Sequence, residues 1–369
     1  METLRRLILL FVGLSIYVGC SDVNFQVVPS ATCDEFNDQG GVCHHGEDGF
    51  NTYNIEFKTG KVDILFVVDN SGSMWIEQTQ MANKFPYLLD KIADLDYQIA
   101  ITTTDVENDQ GRFLLFPNGA PYLTTATHGN NLDWFRETIQ RDETLVCDSN
   151  NYEEAFCPSN DERGIYAVNL ALDHPENSSF FRDSATLHVV FLSDEDERGV
   201  GRGSRTYPFE AYDEPSTLIS KIRDQLGITK AAQFHAVTVA PGDEACLVKQ
   251  YVYPANTSWP IKGREGKVYA ELVSPSSSLL SMGNILPGVQ GSICAKDYGA
   301  QLGEIGDDMK IKPIQLPCEP RDGEVSIVYD RFPDINIDYS LSDTDMLTIH
   351  SMPPEHTKVR IQFNCPIYL

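Results

Sequence analysis

The sequence has few basic residues and few histidines. Its 369 residues include 28 Lys and Arg against 54 Asp and Glu, so the formal net charge at pH 7 is −26. A chain this acidic repels phosphate backbones, which argues against nucleic acid as a partner. The eight histidines form no His-Glu-x-x-His motif, which argues against a zinc hydrolase. No Cys-x-x-Cys pair occurs either, so a zinc-cysteine site has no support.

The apolar run near the amino terminus is too short to span a bilayer. It covers residues 7–16 and follows a basic start, which predicts a signal peptide over residues 1–19. Cys20 comes directly after Gly19 and resembles the lipidated cysteine of bacterial lipoproteins. That resemblance implies an exported protein anchored by lipid, with Ser21 favouring the outer membrane or cell surface of a Gram-negative bacterium. The alternative is an ordinary signal peptide cut nearby, since Tyr17 stands where Leu is usual.

The cysteine count indicates an oxidising compartment. Nine cysteines are present, and setting Cys20 aside leaves eight, an even number as disulfide pairing requires. Eight cysteines allow about 105 connectivities. The simplest assignment joins neighbours in sequence: Cys33 with Cys43, Cys147 with Cys157, Cys246 with Cys294, and Cys318 with Cys365.

One stretch predicts a buried strand that ends in oxygen ligands. Residues 62–68 are apolar apart from Asp63, and most are β-branched or aromatic, which is typical of a parallel strand covered on both faces. Asp69, Ser71 and Ser73 then follow at alternate positions of a turn, where open α/β sheets bind ligands. A carboxylate and two hydroxyls suit a hard divalent cation such as Mg²⁺, Mn²⁺ or Ca²⁺. The alternative is a serine-rich turn that only caps the next helix.

The run Asp69-Asn-Ser-Gly-Ser-Met resembles the first part of the metal-ion-dependent adhesion site of von Willebrand factor type A (VWA) domains. In that family, a distant Asp at the end of another buried strand joins this motif. Residues 187–192 predict such a strand, and Asp194 follows it. The resemblance implies a doubly wound, mostly parallel α/β sheet and a divalent cation held by Asp69, Ser71, Ser73 and Asp194. It also implies a protein partner whose acidic residue completes the metal shell.

The family site also contains a Thr in a loop before a helix, and the matching loop here, residues 159–164, has none. Ser159, Asp161 or Glu162 can take its place, or Thr104 at the end of the second predicted strand. If Asp161 or Glu162 is a ligand, three carboxylates more than cancel a 2+ charge. We then expect a higher metal affinity and a weaker attraction for an acidic partner.

Acidic and hydroxyl side chains occupy all five positions after the predicted central strand, residues 193–197. They can surround the metal site or form a solvated loop. For Glu195 and Glu197 we expect a solvated loop.

The pattern divides the chain into four segments. Residues 1–19 are the signal peptide, 20–57 a lipidated, disulfide-containing tether with little apolar periodicity, and 58–309 the VWA domain. Residues 310–369 contain short alternating runs and predict a small C-terminal all-β, sandwich-like domain. The tether would hold the VWA domain off the membrane.

These observations predict a surface-anchored lipoprotein that binds a partner protein through a divalent cation, as adhesion proteins do. No enzymatic activity is expected, because a nucleophile at Ser71 or Ser73 would need a Gly-x-Ser-x-Gly elbow or a matched His, and the motif offers neither. The alternative is a structural module of envelope assembly whose metal site is degenerate. Cation binding separates the two.

Overall fold

The fold is given by a computed structural model of the chain. It describes residues 32–38, 42–46, 49–58, 60–148, 157–159, 161–183, 185–198, 208–227, 230–251, 264–310, 312–330, 337–342, 345–349 and 357–367. The predicted signal peptide and Cys20 lie outside the described residues. Among the helices of the described residues, none is both long and apolar enough to cross a membrane.

The described elements fall into three groups along the chain. The first group is α1 Cys33–Asp38, β1 Val42–His45 and β2 Phe50–Lys58. The second group is β3 Lys61–Val68, α2 Trp75–Ile92, β4 Asp96–Thr103, β5 Leu123–Thr124, α3 His128–Ile139, α4 Asp142–Asp148, α5 Gly164–Asp173, β6 Thr186–Leu192, α6 Pro215–Leu226, β7 Ala232–Thr238, α7 Glu244–Tyr251, α8 Lys267–Val273, α9 Ser277–Leu280, β8 Ile285–Leu286, β9 Gln290–Ser292 and α10 Tyr298–Asp308. The third group is β10 Lys312–Gln315, β11 Val325–Tyr329, β12 Tyr339–Leu341, β13 Met346–Ile349 and β14 Lys358–Pro366.

The second group forms an α/β domain around one sheet. Its strand order is β5-β4-β3-β6-β7-β8, and β9 also pairs with β7. All of these pairings are parallel except that of β4 with the short edge strand β5. The prediction of a doubly wound, mostly parallel α/β sheet is confirmed.

From Val62 to Val68, strand β3 is apolar at every position except Asp63, because helices cover both faces of the sheet. Side chains alternate between the faces of a strand. Val62, Ile64 and Phe66 therefore pack with residues of α2, α3 and α10, while Leu65 and Val67 pack with residues of α5, α6 and α8. The metal loop, which we define as residues 69–74, thus leaves a rigid, fully buried strand.

Asp63 is the exception in this apolar strand, and it lies at the amino end of the sheet. Its carboxylate accepts hydrogen bonds from Arg182 Nε at 2.7 Å and from the Arg182 backbone N–H at 2.9 Å. Lys230 Nζ lies 3.5 Å from it. Burial raises the pKa of Asp63, while the charges of Lys230 and Arg182 act against that rise. The buried Asp63 carboxylate is therefore paired with two basic side chains, Arg182 and Lys230.

The first and third groups together form a second unit, the β module. One of its sheets has the order β1-β2-β14-β11 and the other β10-β13-β12. Their buried side chains form a common core that includes Tyr53, Ile55, Leu347 and Ile361. The α/β domain is therefore inserted between β2 and β10.

This arrangement corrects the predicted tether over residues 20–57. Instead of forming a spacer, β2 pairs with β14 along its whole length, from Phe50 opposite Pro366 to Lys58 opposite Lys358. The physical reason is an alternating pattern of apolar and polar residues over 53–57, which suits a strand with one buried face. The predicted C-terminal β domain thus contains strands from both sides of the inserted domain.

The structure joins the cysteines in the four predicted pairs. Cys33–Cys43 links α1 to β1, and Cys318–Cys365 links the segment after β10 to β14. In the α/β domain, Cys246–Cys294 joins α7 to the segment before α10. Such bonds form and persist in oxidising compartments.

Candidate metal site

Asp69 begins the metal loop at the carboxyl end of β3 and is fully buried. Its backbone N–H donates to Leu192 O at 2.9 Å, which continues the pairing with β6. Its Oδ1 accepts from the Ser71 backbone N–H at 2.8 Å, and its Oδ2 accepts from Ser193 Oγ at 2.7 Å. Both carboxylate oxygens are therefore held in one orientation before any ligand arrives.

The two serine hydroxyls of the metal loop connect it to the end of β6. Ser73 Oγ donates to Asp194 Oδ1 at 3.2 Å, and Ser71 Oγ lies 3.1 Å from Ser73 Oγ. The two hydroxyls and Asp194 thus form one chain of hydrogen bonds. The structure thus brings together Asp69, Ser71, Ser73 and Asp194, the four residues that the resemblance implies.

Helices α2 and α4 hold the backbone of the metal loop. Gln78 Nε2 donates to Asp69 O at 2.9 Å, and Thr144 Oγ1 donates to Asn70 O at 2.8 Å. Gln78 Nε2 also donates to Thr144 Oγ1 at 3.1 Å. These contacts come from different helices, so the loop conformation depends on the packed domain and not on the motif alone.

Thr104 and Glu162 both approach the site. Thr104 follows β4, and its backbone N–H donates to the carbonyl oxygen of Val68 at 3.1 Å. Val68 is the residue directly before Asp69. Glu162 forms an isolated bridge with Asp105. The Thr104 Oγ1 and Glu162 Oε2 atoms are buried and have no hydrogen-bond partner. Both predicted substitutes for the family Thr therefore have an oxygen free for a ligand.

Asp161 and Ser159, the other two predicted substitutes, are directed elsewhere. Asp161 pairs with Arg198, with Nη2 3.2 Å from Oδ2. Ser159 Oγ donates to Asp105 Oδ1 at 2.9 Å. Asp161 and Glu162 are neighbours in the chain but differ in their contacts. Arg198 pairs with Asp161, whereas Glu162 Oε2 has no hydrogen-bond partner.

The expectation of a solvated loop at Glu195 and Glu197 is wrong. Glu197 is buried and accepts from the backbone N–H groups of Ile165 at 2.7 Å and Tyr166 at 3.1 Å, at the start of α5. Asp196 accepts from Val268 N–H at 3.0 Å at the start of α8. Carboxylates are favourable at helix amino termini, where N–H groups lack partners. The segment after β6 therefore folds inward to cap two helices.

Glu195 lies between these caps and Asp194, and it is also buried. Its backbone N–H donates to Ser193 Oγ at 3.0 Å, while its Oε2 has no hydrogen-bond partner. The sequence pattern favoured a solvated loop for Glu195 over a place at the site. No local signal could have found it, because its position depends on the caps made by its neighbours.

Four buried carboxylates lie in or beside the metal loop, Asp69, Glu162, Asp194 and Glu195, and the charge of the buried Glu77 in α2 also raises the pKa of Asp194. Burial raises the pKa of each of the four, and for Glu162 and Asp194 the next cause is the charge of Asp69. Glu162 and Asp194 in turn raise the pKa of Glu195, while Arg264 lowers it. Because these carboxylates repel one another and Arg264 opposes that repulsion only at Glu195, an additional positive charge at the site is favoured.

The residues present fit a divalent cation. Asp194 Oδ2, Glu195 Oε2, Glu162 Oε2 and Thr104 Oγ1 are buried oxygens without partners, and hard cations prefer oxygen ligands. Over the described ranges, no group of three or more His, Cys, Asp and Glu side chains is placed to hold a metal ion. Asp69 and Asp194 would therefore hold the cation together with the hydroxyls of Ser71 and Ser73.

Comparisons with known proteins leave the family open. No family model matches the chain, and no curated protein matches it either. Among solved structures, the pilus adhesin SpaC from Lactobacillus rhamnosus GG is 11% identical with a TM-score of 0.34, over 88% of this chain and 42% of that chain.

Two further solved structures are similar at the same low level. A von Willebrand factor type A protein from Catenulispora acidiphila is 10% identical with a TM-score of 0.33, over 89% of this chain and 68% of that chain. The manganese-loaded TRAP protein of Plasmodium vivax is 11% identical with a TM-score of 0.26, over 57% of this chain and 70% of that chain. These similarities do not assign the chain to a family.

Proposed function

We propose that this protein binds a partner protein through a divalent cation at the metal loop, as an adhesion-type protein of the cell surface. The observation that carries the proposal is the convergence of Asp69, Ser71, Ser73 and Asp194 at the carboxyl ends of two adjacent parallel strands. Ligands of open α/β sheets bind at this edge. Mg²⁺, Mn²⁺ and Ca²⁺ are the candidate cations.

The proposed role is binding without catalysis. The hydroxyls of Ser71 and Ser73 bond to each other and to a carboxylate. A serine nucleophile needs an adjacent base that takes its proton, and Asp194, which accepts the Ser73 proton, has a pKa raised well above its ordinary value by burial. We propose that Asp194 acts as a ligand of the cation and not as such a base.

Calorimetric titration of Mg²⁺, Mn²⁺ and Ca²⁺ into the oxidised protein tests the cation site. We expect one cation per chain and loss of that binding in Asp69→Ala. Glu56→Ala, which removes a surface carboxylate of the β module beside Lys358 and Arg360, should bind as the unmodified protein does. Binding that survives in Asp69→Ala would place the cation elsewhere and refute the proposal.

One observation favours a second candidate, a structural module of envelope assembly with a degenerate metal site. The described residues contain no ready group of three or more acidic, histidine or cysteine ligands, and Glu162 lies in the loop that carries Thr in the family. If no cation binds to the unmodified protein at millimolar concentration, this second role replaces the first.

Export and lipid anchoring are also part of the proposal. Four disulfides support an oxidising compartment, while Cys20 and residues 1–19 supply the predicted anchor and signal. Cys20→Ser should move the protein from the membrane fraction to the soluble fraction of expressing bacteria. Retention in the membrane fraction would contradict anchoring through Cys20.

A further inference from the structure

We propose that the bound cation takes an uncharged oxygen of the partner, such as an amide carbonyl or hydroxyl, and rejects a carboxylate, because Glu162 and Glu195 over-neutralise it. This inference rests on the proposed cation site. It reverses the expectation, drawn from the family resemblance, that an acidic residue of the partner completes the metal shell.

The first step concerns Glu162. It lies in the segment before α5, in the loop where the family has a neutral Thr, and its side chain is buried with Oε2 unpartnered. Its backbone bridges to Asp105, and the next residue donates its N–H to Thr104 O at 3.1 Å, beside the end of β3. The charges of Asp69 and Asp194 accordingly raise the pKa of Glu162. A negative charge therefore stands where the family site has none.

The second step concerns Glu195, which adds a carboxylate from another side. It directly follows Asp194, its side chain is buried with Oε2 unpartnered, and its backbone N–H donates to Ser193 Oγ at 3.0 Å. After burial, the charge of Glu162 is the largest cause of its raised pKa. Arg264 is the cation that opposes this effect. With one divalent cation bound, four carboxylates and one guanidinium leave the site negative.

The third step is that other arginines nearby do not restore the balance. Arg163 Nη2 lies 2.6 Å from Asp213 Oδ1. Arg198 Nη2 lies 3.2 Å from Asp161 Oδ2, and Arg198 Nη1 lies 3.0 Å from Glu210 Oε1. These guanidiniums belong to an acid–arginine network of their own, so an incoming carboxylate meets uncompensated negative charge in a water-poor site.

The chemistry of the partner follows from this charge. A carbonyl or hydroxyl oxygen can complete the shell of a hard cation without adding charge. Basic side chains beside that oxygen would be attracted to the carboxylates of the site, Asp69, Glu162, Asp194 and Glu195. We therefore expect a neutral contact group within a basic or uncharged segment.

The test uses Mn²⁺ with small probes for the two contact groups. Protein in excess holds all the Mn²⁺, and water-proton relaxation reports the water molecules that remain on it. Sodium acetate is added as the carboxylate probe and acetamide as the carbonyl probe, at matched ionic strength. The variants are Glu162→Gln with Glu195→Gln, and the control is Glu324→Gln, an exposed carboxylate of the β module.

We expect acetate to leave relaxation of the unmodified protein and of Glu324→Gln unchanged, while acetamide lowers it. In the double variant, acetate should displace water at a concentration at least about tenfold lower than in the unmodified protein, because repulsion is lost. Mn²⁺ should bind the double variant about tenfold more weakly, because attraction is lost. Each tenfold change corresponds to about 1.4 kcal/mol. Circular dichroism and thermal unfolding check that the variants fold.

Two results would overturn the inference while leaving the cation site intact. One is acetate binding to the unmodified protein as readily as to the double variant, and the other is a double variant that gains no acetate binding. Failure of Mn²⁺ to bind the unmodified protein at all is a different result, because it refutes the proposed function and this inference with it.

Discussion

The two ends of the central sheet treat buried carboxylates in opposite ways. At the amino end, Asp63 is enclosed by Arg182 and Lys230. At the carboxyl end, Asp194, Glu162 and Glu195 each keep an oxygen without a partner. Buried charges are normally paired, so the paired end stabilises the fold, and the unpaired end is where an additional positive charge is required.

The largest effect is expected from breaking the paired end. Asp63→Ala leaves Arg182 and Lys230 buried without their carboxylate, and such a loss costs about 3–5 kcal/mol. Urea unfolding measures the change in free energy. Glu56→Ala is the matched control, because it breaks a surface ion pair worth about 0–1 kcal/mol. Equal effects of the two substitutions would mean that Asp63 is not a buried structural charge.

The next effect concerns stabilisation of the unpaired end by a cation. A ligand that binds only the folded state adds about 2.7 kcal/mol at a concentration about 100 times its Kd. We expect Mn²⁺ to raise the unfolding temperature of the unmodified protein and of Asp63→Ala alike. Asp69→Ala should show no such rise. A rise in Asp69→Ala would separate the stabilising cation from the metal loop.

The pH dependence of stability should report the protons that the unpaired end holds. Burial and mutual repulsion raise the folded pKa values of Glu162, Asp194 and Glu195 well above the ordinary values of 4.5 for Glu and 3.8 for Asp. The folded protein therefore holds protons that the unfolded chain releases. Their stabilising contribution is complete below those ordinary values and is lost as the pH rises through the folded pKa values.

Metal-free protein should accordingly lose stability as the pH rises above about 4, by about 1.4 kcal/mol per pH unit for each extra proton held. The loss should be shallower in the variant with Glu162→Gln and Glu195→Gln, which has fewer such protons. Unfolding in EDTA across pH 4–8 measures both slopes. Identical slopes would show that these two side chains do not hold the protons.

The smallest effect is expected from the hydrogen bond that orients Asp69. Ser193 Oγ donates to Asp69 Oδ2 at 2.7 Å, and loss of a partner that orients a metal ligand costs about tenfold or more in affinity. Ser193→Ala should therefore weaken Mn²⁺ binding about tenfold and leave the number of sites unchanged. Unchanged affinity would mean that the other contacts of the loop suffice to orient Asp69.

The core of the α/β domain and the metal loop could be predicted from sequence because their signals are local. The apolar run before Asp69 requires cover on both faces, and the turn after it places oxygens at alternate positions. The role of Glu162 over Asp161 could not be predicted, because it depends on Arg198, which lies in a distant loop. The place of Glu195 could not be predicted either, because its burial follows from the helix caps made by Asp196 and Glu197.

The tether was mispredicted although a signal was present. Tyr53, Ile55 and Phe57 alternate with polar residues, which is the pattern of a half-buried strand. The partner of that strand, β14, lies about three hundred residues further along the chain. Glycines at positions 40, 41, 46 and 49 lie before β2 and suggested a flexible spacer. The pairing of β2 with β14, which decides the structure of this segment, is entirely nonlocal.

The insertion of the α/β domain between β2 and β10 also determines how the protein would carry a mechanical load. Lys61 at the start of β3 and Asp308 at the end of α10 both lie at the amino end of the sheet, opposite the metal loop. A pull exerted at the metal loop would travel along the parallel strands and enter the β module through two connections. One of them continues directly into β2, whose nine residues pair with β14. That ladder would be pulled lengthwise, so its hydrogen bonds would resist together in shear instead of opening one after another.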